Sequence, residues 1–290
     1  MSMPFPPLLR HCAGACLAVY AAGAAAGSTM CLNPVPGQDS YRHIESVLGA
    51  GAVESPSDGA YAPPRPHILV MPDDGVTGPH YAIQAIEPGD YNLDRVSMEA
   101  GGDRSRTEIK LAPSKGTHEV FKAREGDTFT YAWRFRIAED MRFASSFTHI
   151  HQIKANGGRY AEPPLITFTP LANGKMEVRH VADQLTESKQ TVLGAMPLAG
   201  NQGKWLVATE TITYSNTRGR YQLAIRDMEG AQQLAIDQGG LQMWRSGADH
   251  MRPKWGIYRK HSPQLNQHRA DTVYFSNMCI TREEAAGVLR

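Results

Sequence analysis

Arg106-Thr107-Glu108-Ile109-Lys110 sets a guanidinium, a carboxylate and an ammonium at alternate positions. In a strand, where successive side chains point to opposite faces, all three share one face. The segment Lys254-Trp255-Gly256-Ile257-Tyr258-Arg259-Lys260 behaves alike, with Trp255 and Ile257 on one side and Lys254, Gly256, Tyr258 and Lys260 on the other. A packed core must take the tryptophan and the isoleucine. The opposite face then shows an ammonium, bare backbone, a phenol and a second ammonium in a row, which suits a concave surface that binds an anion. The third segment, Phe147 to Lys154, carries His149 and His151 two apart and Gln152 and Lys154 on the alternate face. Imidazoles titrate near neutrality and pass protons. Two histidines at this spacing can also hold a metal, but no third ligand of suitable spacing is evident. Arg106 and Glu108 have a plainer reading too, as a cross-strand charge pair on a solvated face.

The elements that must position these residues are short strands. From His67 onward, apolar-alternating runs are separated by Gly, Asn, Asp and Pro turns: HILVM, FTYAWRFRI, SFTHIHQIKA, PLITFTP, KMEVRHVA, KWLVATETITYS, RYQLAIRD, KWGIYRK and DTVYFSNMCI. Runs of this length without intervening helices predict an all-β antiparallel sandwich or barrel. Only the tail TREEAAGVLR looks helical. Residues 27–66, rich in Gly, Pro, Ser and Ala, read as an N-terminal extension that wraps the domain, with at most a short helix around Tyr41 to Leu48.

Residues 1–26 have the layout of a secretory signal peptide: one early cation, Arg10, then an Ala-, Leu- and Val-rich run and small-residue cleavage options. That run is too short for a membrane span, and no later segment approaches the length. The expected location is therefore secreted or periplasmic. Cleavage would remove Cys12 and Cys16 and leave Cys31 and Cys279, which predicts one disulfide joining the chain ends in an oxidising compartment. The 30 Lys and Arg against 29 Asp and Glu give no global attraction for nucleic acid or an anionic membrane. The balance is uneven, however, because residues 245–269 hold six Lys or Arg and one acid, Asp249. An acidic partner is allowed at that face.

Together the three segments resemble the jelly-roll polysaccharide lyases, the group of alginate lyases, glucuronan lyases and heparin-lyase-like proteins. In the alginate-lyase members an Arg-Thr-Glu segment, a Gln-Ile-His segment and a Tyr-Phe-Lys-Ala-Gly-x-Tyr segment line one groove. Arg106-Thr107-Glu108 matches the first, and Lys254-x-Gly256-Ile257-Tyr258 matches the core of the third. Gly203-Lys204-Trp205 also looks like that group, and the resemblance covers roughly residues 67–282. The middle segment departs from the pattern. Either His149-Ile150-His151 or Gln152-Ile153-Lys154 aligns with Gln-Ile-His, and the two registers put opposite faces of the strand in the groove. Two histidines on a core face would need buried partners, which favours His149 and His151 in the groove. A bulge would bring Gln152 round as well.

The resemblance implies a β-jelly roll of concanavalin-like type over residues 67–290, with a concave groove, and β-elimination at a uronic acid residue of an acidic polysaccharide. Arg106 would neutralise the carboxylate by a bidentate fork, with Gln152 or a histidine as a further donor. His151 suits the base, and Tyr258, with Lys254 and Arg259 near it, suits the acid. Glu108, Lys110, Lys154, Lys254 and Arg259 would bind substrate, and Arg104, Arg159, Arg179 and Arg245 could extend the groove. No cofactor is required by this scheme, a structural calcium ion is conceivable but not indicated, and a monomer is expected. A retaining glycosidase would need two close carboxylates, and Glu108 and Glu210 stand isolated. A non-catalytic carbohydrate-binding sandwich is the reading from a different class.

Overall fold

The computed structural model describes residues 27–56, 66–86, 90, 103–112, 118–262, 265 and 269–284. The expected signal peptide and residues 285–290 of the tail lie outside them. Among the described residues, fifteen strands form two antiparallel sheets. In the first, the order is β13 (Gln232–Leu241), β12 (Gly219–Asp227), β11 (Leu206–Thr213), β6 (Thr128–Ile137), β15 (Ala270–Arg282), β4 (His80–Ile86) and β3 (Ile68–Met71), with β1 (Ser28–Leu32) also paired to β15. In the second it is β10 (Thr191–Pro197), β9 (Lys175–His180), β8 (Ile166–Pro170), β7 (Thr148–Asn156), β14 (His250–Lys260), β5 (Arg104–Lys110) and β2 (Val53–Glu54).

The two sheets differ in how their strands bury. β6 alternates strictly, with Phe129, Tyr131, Trp133, Phe135 and Ile137 inward, as a strand with one wet face must. β5, β7 and β14 are buried on nearly every residue. Their inner face packs on the core, where Trp133, Phe168, Trp255, Ile257 and Phe275 meet. Their outer face buries polar side chains against one another, and that is where most of the candidate residues lie.

The extension contributes to the same body. Helix α1 (Ser40–Leu48) is capped by Asp39, whose side chain accepts the Arg42 N–H at 2.8 Å, and Leu32, Ile44, Leu48 and Ala52 join the core cluster. Cys31 lies opposite Cys279 in the β1–β15 ladder, and the two form the expected disulfide.

Five strands were not foreseen: β1 and β2 in the extension, and β4, β10 and β13. β13 is an edge strand, exposed along most of its length, so its polar sequence lacks the alternation that burial imposes. The tail reading is corrected at its start, since Thr281 and Arg282 complete β15 rather than begin a helix. They do so because β1 offers Thr29 and Ser28 as ladder partners.

Gly256 sits where β14 touches β5. Its φ is 144°, and a Cβ there would lie 2.2 Å from the Thr107 carbonyl oxygen and 2.7 Å from the Glu108 Cα. Both obstacles are backbone, so neither can swing aside. Gly256→Ala is expected to destabilise the protein by about 3 kcal/mol, combining strain and overpacking. Urea unfolding measures this, and an unshifted midpoint would contradict it.

Candidate active site

The register of β14 on β5 carries out what alternation predicted. Tyr258 lies opposite Arg106, Gly256 opposite Glu108, and Lys254 opposite Lys110, so all share the outer face. The Arg106 guanidinium carbon stands 5.3 Å from the Tyr258 ring centroid, a cation–π arrangement.

The pairing of β14 with β7 is where the two competing registers are reconciled. Lys254 faces Gln152 and Trp255 faces His151, but the ladder then shifts, and Tyr258 faces His149. Three residues of β14 therefore span two of β7, a bulge that changes which face β7 presents. His149 is on the groove side: its ring stacks on Phe147 at 4.7 Å, lies 6.3 Å from Tyr258, and its Nδ1 is 2.9 Å from the Thr169 hydroxyl. Gln152 is on the groove side too, donating its amide hydrogen to Glu108.

His151 is a correction. Instead of facing the groove it points between the sheets, 1% exposed, with its ring 4.4 Å from that of Trp133 and its Nε2 2.9 Å from Glu210 Oε2. Tyr221 donates to the other oxygen of Glu210 at 2.8 Å. The buried partner that a core histidine demands was thus available in Glu210, a lone acid on the inner face of β11 between Ala208 and Ile212. A joint metal site for His149 and His151 is ruled out, because the two rings lie on opposite sides of their sheet.

Arg259 is the second correction. It shares the inner parity of Trp255 and Ile257, is fully buried, and donates to Asp271 at 2.8 Å and to the Arg142 carbonyl at 3.3 Å. It ties β14 to the opposite sheet and does not face substrate. Arg245, considered as a groove cation, is a buried clamp that donates to the carbonyls of Pro163, Pro164 and Ala182. Arg179 remains beside the groove, its Nε 2.8 Å from Glu177.

Lys110 and Lys254 do face the groove side, but their ammonium groups are held by the protein's own acids. Lys254 Nζ is 2.6 Å from Glu108 and 2.5 Å from Glu54, and Lys110 Nζ is 2.8 Å from Glu54. Glu54, delivered by β2, had no sequence signal. Burial works to raise its carboxyl, but Lys254, Arg106 and Lys110 outweigh that and hold it well below the usual carboxylate range.

A cleft of about 230 Å³ opens beside His149, lined also by Phe147, Thr167, Arg179, Val181 and Gln190. Burial, then the charges of Arg179 and Lys154, push His149 down to about 3, so its imidazole is neutral at ordinary pH. Burial and the nearby Lys254 likewise lower Lys154 to about 8. The cleft presents a neutral imidazole, and just outside its lining the neighbouring strand β14 holds the Tyr258 phenol, its ring 6.3 Å from that of His149 and with the Arg106 guanidinium beside it.

The architecture and this face define a class: an antiparallel jelly-roll sandwich whose outer sheet face sets a histidine beside a tyrosine among charged side chains. The polysaccharide lyase family model matches residues 75–279, well over half of the sequence, and the chain belongs to that family of enzymes. Among solved structures the fold is similar to the family 14 alginate lyase from Aplysia kurodai, with a TM-score of 0.53 and 13% identity over 89% of this chain and 100% of that one. It is similar also to alginate lyase Aly36B, with a TM-score of 0.54 and 12% identity over 90% of this chain and 100% of the other. A family 7 alginate lyase in complex with substrate gives a TM-score of 0.52 and 9% identity over 81% and 93%. No curated protein sequence matches the chain. Among the described residues no helix is long and apolar enough to cross a membrane.

Proposed function

We propose that the protein is an exported lyase that cleaves a uronic-acid-containing polysaccharide by β-elimination. The observation that carries this reading is the meeting of His149, Tyr258, Arg106 and Gln152 on one face, brought about by the β7–β14 register shift. Removing the C5 proton of a uronate places further negative charge beside a group already ionised, so a fixed cation is the first requirement. Arg106 meets it, with Gln152 as a second donor. His149, neutral and aimed from the strand beside Tyr258, accepts the C5 proton, and the bound uronate's own charge raises its basicity. The C5 electrons form the C4–C5 double bond as the C4–O bond breaks, and the Tyr258 hydroxyl gives its proton to the departing oxygen. The base role thus passes from His151 to His149.

Export is supported by the leader-like residues 1–26 and by a disulfide, which persists in oxidising compartments. The alginate-lyase neighbours make alginate the first polymer to try, with glucuronan and heparin beside it. Incubation with each is expected to produce ultraviolet absorbance from the unsaturated sugar end. No absorbance on any uronate polymer, with the protein still retained on a polysaccharide gel, would sink the reading.

A further inference from the structure

Glu54 stands apart from the rest of the groove in origin. It precedes the family-matched stretch, residues 75–279, and reaches the site because the two-residue strand β2 adds to the edge of β5, with Glu54 opposite Glu108. Its carboxylate lies 2.5 Å from Lys254, 2.8 Å from Lys110 and 3.9 Å from Arg106. Side-chain exposures of 4%, 14% and 5% for these three cations show a packed cluster rather than a loose surface pairing.

The consequence is electrostatic. Within this cluster Arg106, Lys110 and Lys254 against Glu54 and Glu108 leave a single positive charge in excess, to which the neighbouring Arg252 and Lys154 add their own. Without Glu54 the cluster's excess would double, Lys110 would lose its acid, and Lys254 would keep only Glu108. A plain polyuronate brings one carboxylate per sugar, which one net cation beside Tyr258 can meet. A sulfated uronate brings further anions, and here they would encounter ammonium groups already engaged by protein carboxylates.

We infer that Glu54 is a specificity-determining residue that limits the charge density of the polymer the groove accepts, favouring non-sulfated over sulfated uronates. The inference rests on the proposed lyase reading for its substrate class. Discrimination of this kind is a difference between two affinities, and an unfavourable charge is an efficient way to create it.

The test uses the full chain and three variants. For Glu54→Gln, the ratio of kcat/KM on heparin to kcat/KM on alginate or glucuronan is expected to rise about 10-fold or more, the scale of one added charge in a partly screened site, and elution from heparin-agarose to move to higher salt. Glu54→Asp, which keeps the charge, should hold the wild-type ratio and elution. So should the double variant Glu54→Gln/Lys110→Gln, which restores the net charge of the cluster. An unchanged ratio and elution in a folded Glu54→Gln protein would overturn the inference. The same shift in Glu54→Asp would overturn it too, as would a Glu54→Gln protein that cannot fold, since Glu54 would then be a scaffold residue. If the wild type cleaves no uronate polymer, the lyase reading fails by itself, and the elution series still decides the role of Glu54.

Discussion

Tyr258→Phe is expected to lower kcat by at least about 1,000-fold on the polymer the enzyme cleaves, with little change in polymer binding. The substitution keeps the ring that packs 5.5 Å from Phe147 and 6.3 Å from His149 and that lies under Arg106. It removes only the hydroxyl, and with it the proton for the departing oxygen. Because Tyr258 is half-buried on a strand whose inward neighbours are Trp255 and Ile257, the packing of the sandwich is untouched. The measurement is the rate of unsaturated product under saturating substrate, paired with retention on a gel of the same polymer. An unchanged rate would make Tyr258 a packing residue and would remove the acid from the mechanism.

Arg106→Ala should have an effect of similar size, about 100- to 1,000-fold in kcat/KM, the cost seen when a preorganised charge donor to a developing anion is deleted. Arg106→Lys should fall between, since an ammonium keeps the charge and loses the planar fork that pairs with both carboxylate oxygens. The order wild type, Lys, Ala is the diagnostic result. A lysine variant as poor as alanine would assign the role to geometry alone, and an alanine variant as fast as wild type would place the substrate carboxylate elsewhere. Circular dichroism must accompany both, because Arg106 also lies 3.9 Å from Glu54.

Much of the site was legible because strand alternation is a local rule. Arg106, Glu108, Lys110, Lys254 and Tyr258 share a face by counting in twos, and the ladder between β5 and β14 needed only to align them. The same counting assigns Arg259 to the core side, against its reading as a substrate contact, and a buried carboxylate, Asp271, makes that placement tolerable. His149 and His151 were not separable in this way. Two apart, they share a face in any unbroken strand, and only the extra β14 residue between Trp255 and Tyr258 sends one to the groove and the other to Glu210.

The sequence by itself determined the all-β antiparallel architecture, the face shared by the charged residues of β5 and β14, and the cysteine pair, since the first two follow from short-range periodicity and the third from which cysteines lie outside the expected leader. Tertiary structure alone decided which histidine reaches the cleft and which groove cations are answered by the protein's own acids. A register shift is a property of two strands together, and the charge on Lys110 and Lys254 is answered by Glu54, a residue from a distant edge strand that no spacing in the chain connects to them.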